Sequence, residues 1–105
     1  MTLEEKLESF KRDRVGFHVG SREVAELLGE TLGRIGIHGN AGSTAHDAVM
    51  LSWEDHAEDT WVSVNFPYVR GTFCDGSREC SGNYLKEIYE VTVEELEEYL
   101  GKAGE

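Results

Sequence analysis

The chain of 105 residues carries 21 acidic and 10 basic side chains, so its formal net charge is −11 at pH 7. With 39% hydrophobic and 30% charged residues, it has the composition of an ordinary soluble globular protein. We therefore expect residues 1–105 to form a single domain. A surface of this charge repels nucleic acid and anionic membranes, so we expect neither as a direct partner.

The sequence also bears on location. No apolar segment is long enough to cross a bilayer, and the charged first residues lack the apolar core of a secretory signal peptide. The chain also contains no Asn-X-Ser/Thr glycosylation sequon. We therefore expect a cytoplasmic location.

The acidic charge is concentrated in the second part of the chain. Residues 1–46 contain seven acids and six bases, whereas residues 47–105 contain fourteen acids and four bases. Such a surface attracts basic partners over roughly a Debye length, ~8–10 Å at physiological salt. Acidity that only keeps a small protein soluble is the alternative explanation.

Two helices are predicted in the first third of the chain. Thr2 and Glu5 form a capping box, and the apolar residues that follow at helical spacing predict a helix of about three turns. Ser21 precedes a second apolar stripe, which predicts a helix that ends near Gly33. Within this helix Gly29 costs ~1 kcal/mol relative to alanine.

The segments around the second helix are less regular. Val15, Phe17 and Val19 alternate with glycine and histidine, which predicts a short edge strand. Residues 36–44 are rich in glycine but lack the Lys that a phosphate-binding loop requires before its Ser or Thr. We therefore interpret residues 36–44 as a mobile linker.

Residues 48–70 are predicted to form the central element of the fold, an antiparallel hairpin. Apolar and polar residues alternate on both sides of a short acidic connector, which is typical of two half-buried strands. The inward side chains would be Val49, Leu51, Trp53, Val62, Val64 and Phe66. Their expected partners on the helices are Leu27, Leu28, Leu96 and Leu100. If Leu51 is buried in this way, Leu51→Ala should cost ~2–5 kcal/mol.

The last third of the chain is predicted to add strands and a closing helix. Residues 68–74 and 80–91 indicate extended segments around a turn, which would place Cys74 opposite Cys80. The two thiols could then form a disulfide if oxidised, although reduced thiols fit a cytosolic protein better. Thr92 and Glu95 form a second capping box. Together the elements predict an α+β fold: a two-layer sandwich with an antiparallel sheet of about three to four strands and helices on one face.

No motif predicts catalysis, a metal site or a cofactor. The two cysteines lack C-x-x-C spacing and the four histidines are scattered, so we expect no metal and no cofactor. No Ser or Cys has a base positioned beside it by a local motif, so we expect the protein not to be an enzyme. A small enzyme that uses Cys74 is the least favoured hypothesis.

The predicted partner-binding surface consists of carboxylates and one partly exposed tryptophan, which would act as an aromatic anchor or cover a sheet edge. Its residues are Glu54, Asp55, Glu58, Asp59, Trp61, Glu87, Glu90, Glu94, Glu95 and Glu98. In charge profile the chain is similar to small acidic inhibitors, which include nuclease-inhibiting immunity proteins and phage-encoded nucleic-acid mimics. This similarity is one of composition and assigns a role to no residue.

These patterns favour a non-enzymatic binding or inhibitor protein that docks on a basic protein surface, such as that of a nucleic-acid-binding enzyme. Docking of this kind would be fast and strongly dependent on salt. A nucleic-acid mimic or immunity-type inhibitor of this kind would be encoded by a phage or a mobile element. The alternative is a structural or adapter module that self-associates through an aromatic sheet face around Trp61.

Overall fold

The computed structural model describes residues 1–12, 15–38, 43–63, 72–74 and 87–103. In chain order the elements are α1 (Leu3–Arg12), β1 (Val15–Val19), α2 (Arg22–Arg34), α3 (Ala45–His56), a 3₁₀ turn (Ala57–Asp59), β2 (Thr60–Ser63), β3 (Thr72–Cys74), β4 (Glu87–Glu90) and α4 (Val93–Ala103). The chain therefore has an α+β fold, as the sequence predicts.

Capping boxes begin the first and last helices, as predicted. In α1 the backbone N–H of Thr2 donates to a carboxylate oxygen of Glu5 at 3.0 Å, while the backbone N–H of Glu5 donates to Thr2 Oγ1 at 3.2 Å. Thr92 and Glu95 repeat this exchange at the start of α4, at 3.1 and 3.2 Å. Each box satisfies two backbone donors that a helix start would otherwise leave without partners.

Local hydrogen bonds define both ends of α2. Ser21 caps the start, where its Oγ accepts a backbone N–H of the first turn at 3.1 Å. At the other end Gly36 donates to the Gly33 carbonyl at 3.2 Å and Ile37 donates to the Leu32 carbonyl at 3.0 Å, which is a Schellman motif. Gly36 has a φ of +92°, so this helix end requires glycine at Gly36 and not at the predicted Gly33.

Residues 45–56 form helix α3, so the prediction of a strand here is wrong. Thr44 caps the helix, and its Oγ1 accepts the backbone N–H of Asp47 at 3.0 Å. The buried residues recur at helical spacing: Ala45, Ala48, Val49 and Ser52. Because alanine and serine add little to an apolar pattern, the alternation of the larger residues concealed the helical spacing.

The predicted core is therefore only partly observed. Four of its residues belong to the buried apolar cluster: Leu28, Val49, Val62 and Leu96. Three others are half-buried: Leu27, Trp53 and Leu100. Leu51 is exposed over 62% of its surface, which corrects the prediction that it is buried. Val64 and Phe66 lie outside the described residues, so their burial stays a prediction.

The sheet has the strand order β3-β2-β1-β4, which places β1 in the interior and not at the predicted edge. β2 pairs antiparallel with both β1 and β3, but β4 runs parallel to β1. The sheet is therefore mixed, and the prediction of an antiparallel sheet is wrong. The prediction assumed that consecutive strands pair, whereas β4 pairs with the first strand of the chain, a long-range choice that leaves no local signal.

The strand register places Phe17 at the centre of the core. Phe17 lies opposite Val62 of β2 and Tyr89 of β4. Its ring centroid is 4.9 Å from that of Phe10 on α1 and 5.9 Å from that of Tyr89. On the helical side, α2 contacts β1, α3 and α4. The sheet and the helices thus share one buried apolar cluster in the described part of the chain.

Candidate functional site

The predicted acidic connector forms the end of α3 and the turn that follows it. Glu54 and Asp55 are exposed in the last turn of α3, and Glu58 is exposed in the 3₁₀ turn. Asp59 belongs to the same turn, but its side chain lies outside the described residues. These carboxylates therefore do not link two strands. They surround a helix C-terminus, the end at which the helix dipole is negative.

The remaining acidic residues of the predicted surface lie on β4 and α4. Glu87 and Glu90 are exposed on β4, and Glu94 and Glu98 are exposed on α4. Glu95 is different, because it is half-buried between α4 and α1. The structure thus separates four exposed carboxylates of this region from one that packs within the fold.

Glu95 connects α4 to α1. In addition to its capping role, it accepts a hydrogen bond from Lys6 Nζ at 3.2 Å, and Lys6 also donates to the Glu90 carbonyl at 2.9 Å. Partial burial raises the pKa of Glu95, but the hydrogen bonds from Thr92 and Lys6 and the charge of Lys6 lower this pKa by more, so the net shift is downward. The Glu95 carboxylate is therefore already engaged within the fold.

Glu95→Gln is expected to lower the free energy of unfolding by about 0.5–1 kcal/mol at pH 7, because it removes the charge paired with Lys6 but keeps an oxygen for the capping box. Since the folded-state pKa of Glu95 is lowered, its charge stabilises the fold above the unfolded-state pKa. That contribution disappears as the pH falls through the folded-state pKa. Urea denaturation of both proteins at pH 7 and pH 3 measures the difference, which should shrink in acid.

Glu94→Gln is the matched control, since it removes a charge from the same turn of α4 at an exposed position. Its effect on the free energy of unfolding should stay within about 0.5 kcal/mol. A Glu95→Gln effect of equal size at both pH values would show that the carboxylate charge is not what stabilises this contact.

His18 on β1 holds three residues of the predicted surface together. Its Nδ1 lies 2.9 Å from both carboxylate oxygens of Glu90, and its Nε2 lies 2.6 Å from the Glu58 carbonyl oxygen. The centroid of its ring is 4.6 Å from that of Trp61. Because both ring nitrogens face acceptors, the doubly protonated ring satisfies both contacts, and in that form it pairs with Glu90 as a cation.

The sequence interpretation missed His18, which it counted among scattered histidines. The alternation in β1 does place His18 opposite the apolar side chains of that strand. However, only the strand register brings Trp61 of β2 and Glu90 of β4 beside it. The signal for this cluster is therefore the pairing of β1 with two strands that are distant in sequence.

Trp61 is half-buried on the same sheet face as His18. Its Nε1 is buried and has no hydrogen-bond partner among the described residues. With its nitrogen buried and its ring against His18, the indole offers a partner only part of its surface.

The cysteine hypotheses lie largely outside the described residues. Cys74 ends β3 and is the register partner of Trp61, whereas Cys80 is not described. The cross-strand disulfide and the enzyme that uses Cys74 therefore stay predictions. Within the ranges that the structure describes, no group of three or more His, Cys, Asp or Glu residues could hold a metal ion.

Within the described part of the chain, five exposed carboxylates of the predicted surface form no ion pair with Lys or Arg. The described Lys and Arg ion pairs are Lys6 with Glu95, Arg12 with Glu8 and Arg34 with Glu30. Residues 43–63 contain no Lys or Arg at all. Among the described side chains, none of these cations pairs with Glu54, Asp55, Glu58, Glu87 or Glu94. Among the described residues, the end of α3 and the start of α4 therefore keep a negative charge that Lys and Arg do not neutralise.

In comparisons with known proteins, no protein-family model, no curated protein and no solved structure matches the chain. In the part of the chain that the structure covers, none of the helices combines the length and apolar character needed to cross a bilayer. The function is therefore inferred from the geometry and charge of the site itself.

Proposed function

We propose that this protein is a non-enzymatic binding protein whose acidic surface docks on a basic surface of a partner protein. The observation that carries the proposal is a set of five exposed carboxylates that pair with no Lys or Arg among the described residues: Glu54, Asp55, Glu58, Glu87 and Glu94. Such a surface speeds encounter with a basic partner, because opposite charges attract across ~8–10 Å at physiological salt.

A nucleic-acid-binding enzyme is the partner class that we favour. A protein that holds phosphates presents Lys and Arg side chains, and an acidic protein can occupy the same surface in place of the nucleic acid. Binding of this kind would inhibit the enzyme. The proposal places the protein in the cytoplasm, where such enzymes act.

We also propose the two-layer arrangement, in which the helices gather on one face of the sheet. Its support is that α1 and α2 both contact β1, while α2 also contacts α3 and α4. In this arrangement the outward sides of α3 and α4 face away from the sheet, so their carboxylates are accessible to a partner.

Self-association through the face around Trp61 remains the alternative function. It has less support, because the Trp61 ring packs against His18 and its nitrogen is buried. The two proposals differ in their response to salt, because added salt weakens attraction between opposite charges but does not weaken the association of two copies of the same acidic protein.

The test is capture of the partner from a lysate of the source organism, followed by timed association with the purified partner. The on-rate should fall at least tenfold between ~50 and ~500 mM salt, a range that shortens the Debye length about threefold. Neutralising Glu54, Asp55 and Glu58, or Glu94 and Glu98, to their amides should lower the on-rate with little change in stability.

The double variant Glu23→Gln/Glu26→Gln is the matched control, because it removes two exposed charges from α2, outside the proposed surface. Its on-rate should match that of the unmodified protein. If salt and neutralisation both leave the on-rate unchanged while Trp61→Ala abolishes binding, the adapter function replaces the proposed one.

A further inference from the structure

The outward side of α3 combines an exposed leucine with three neighbouring carboxylates. Leu51 exposes 62% of its surface in the middle of the helix. Asp47 precedes Leu51 by four residues, and Glu54 and Asp55 follow it by three and four residues. All three of these carboxylates are exposed. Residues at these spacings are neighbours on a helix surface, so the three carboxylates border Leu51 directly. We call these four residues the α3 face.

The stability of the fold does not account for Leu51, Glu54 or Asp55 on the α3 face. Leu51 buries little area, and the carboxylates of Glu54 and Asp55 lie in the last turn of the helix, where the dipole disfavours negative charge. Charge needed only for solubility could stand on any exposed position without this cost.

The chemistry of the α3 face fits long basic side chains. Lys and Arg carry an apolar stem of methylene groups below a charged head, and such stems pack on apolar surface while the head stays polar. A stem lying on Leu51 would bring its head to the carboxylates of Asp47, Glu54 or Asp55. A second copy of the chain fits less well, because facing α3 helices would bring like charges together.

We propose that the α3 face is the primary docking surface for the basic partner, and that Lys or Arg stems of a partner protein segment cover Leu51. This inference rests on the proposed function and assigns it to one helix. It makes α4 a secondary contributor of charge.

The test uses a synthetic nine-residue lysine peptide as probe and the ¹⁵N-labelled full chain at about 50 mM salt. Backbone amide shifts should change most along α3. Leu51→Ala should weaken peptide binding about five- to tenfold through lost apolar contact, and Glu54→Gln/Asp55→Asn about three- to tenfold through lost charge. Leu51→Met and Glu23→Gln/Glu26→Gln are the matched controls, and both should bind within twofold of the unmodified protein.

A peptide of diaminobutyrate isolates the stem, because its ammonium groups stand on two methylenes where lysine has four. This peptide should bind more weakly than the lysine peptide, and Leu51→Ala should affect it less. Equal effects of Leu51→Ala on both peptides would overturn the stem contact.

The remaining outcomes separate the two proposals. One outcome is that the amide shifts concentrate on α4 and that Glu94→Gln/Glu98→Gln weakens binding while Leu51→Ala does not. This outcome overturns the inference that the α3 face is the primary docking surface, and the proposed function stands. If sedimentation shows a dimer that Leu51→Ala dissociates, a second copy covers the α3 face and this inference is overturned. If the unmodified protein does not bind the lysine peptide at low salt, both proposals fail.

Discussion

Phe17→Ala is expected to lower the free energy of unfolding by about 3–5 kcal/mol, the largest effect of any substitution considered for this protein. Phe17 is fully buried in the interior strand β1, with its ring 4.9 Å from that of Phe10 and 5.9 Å from that of Tyr89. Removal of the Phe17 ring leaves a cavity between α1 and the sheet. Movement of α1 alone or of the sheet alone would not fill this cavity. Urea denaturation followed by circular dichroism measures the loss.

Leu51→Ala is the contrasting substitution. It should change the free energy of unfolding by no more than about 0.5 kcal/mol, because Leu51 is 62% exposed. The predicted strand required a loss of ~2–5 kcal/mol at the same residue. Phe17→Leu should give an intermediate loss and keeps the series measurable if Phe17→Ala does not fold. If Leu51→Ala lowered the free energy of unfolding as much as Phe17→Ala does, Leu51 would be buried, as the predicted strand requires.

Gly29→Ala is expected to destabilise the fold by about 1–3 kcal/mol through overpacking. A Cβ built on Gly29 would lie 2.6 Å from His46 Cα and 3.3 Å from His46 Cβ. The first of these contacts is with the backbone of α3, so no side-chain rotation relieves it. The helices α2 and α3 would have to separate, which disturbs the buried residues between them. Thermal and urea unfolding of the variant test this directly.

Gly33→Ala is the matched control, because Gly33 lies in the same helix and a Cβ built on it would meet no described atom within 4 Å. Helix propensity alone then applies, and the substitution should stabilise the protein by up to about 1 kcal/mol. Equal stabilisation by both substitutions would mean that α2 and α3 do not approach closely at Gly29.

The two glycines show where local patterns stop being informative. By helix propensity alone, alanine should improve α2 at Gly29, and also at Gly33 because the helix continues to Arg34. The close approach of His46 reverses the expected sign at Gly29. That approach depends on α3 being a helix, which the alternation of Val49 and Leu51 concealed.

The candidate site likewise has some features that the sequence shows and others that only the structure shows. The positions of the acidic residues and their lack of local Lys or Arg are visible in the sequence. Their surroundings are not. The contact of Glu95 with Lys6 spans 89 residues and that of His18 with Glu90 spans 72, so no local window contains either pair.

The α+β class, the capping boxes of α1 and α4 and the excess of negative charge can be predicted from the sequence, because each depends on residues close together in the chain or on composition. The parallel pairing of β4 with β1, the helical state of α3 and the outward position of Leu51 become visible in the folded structure alone. Strand partners and buried faces are chosen by packing between distant segments. A short apolar alternation is compatible with either a strand or a helix until that packing selects one.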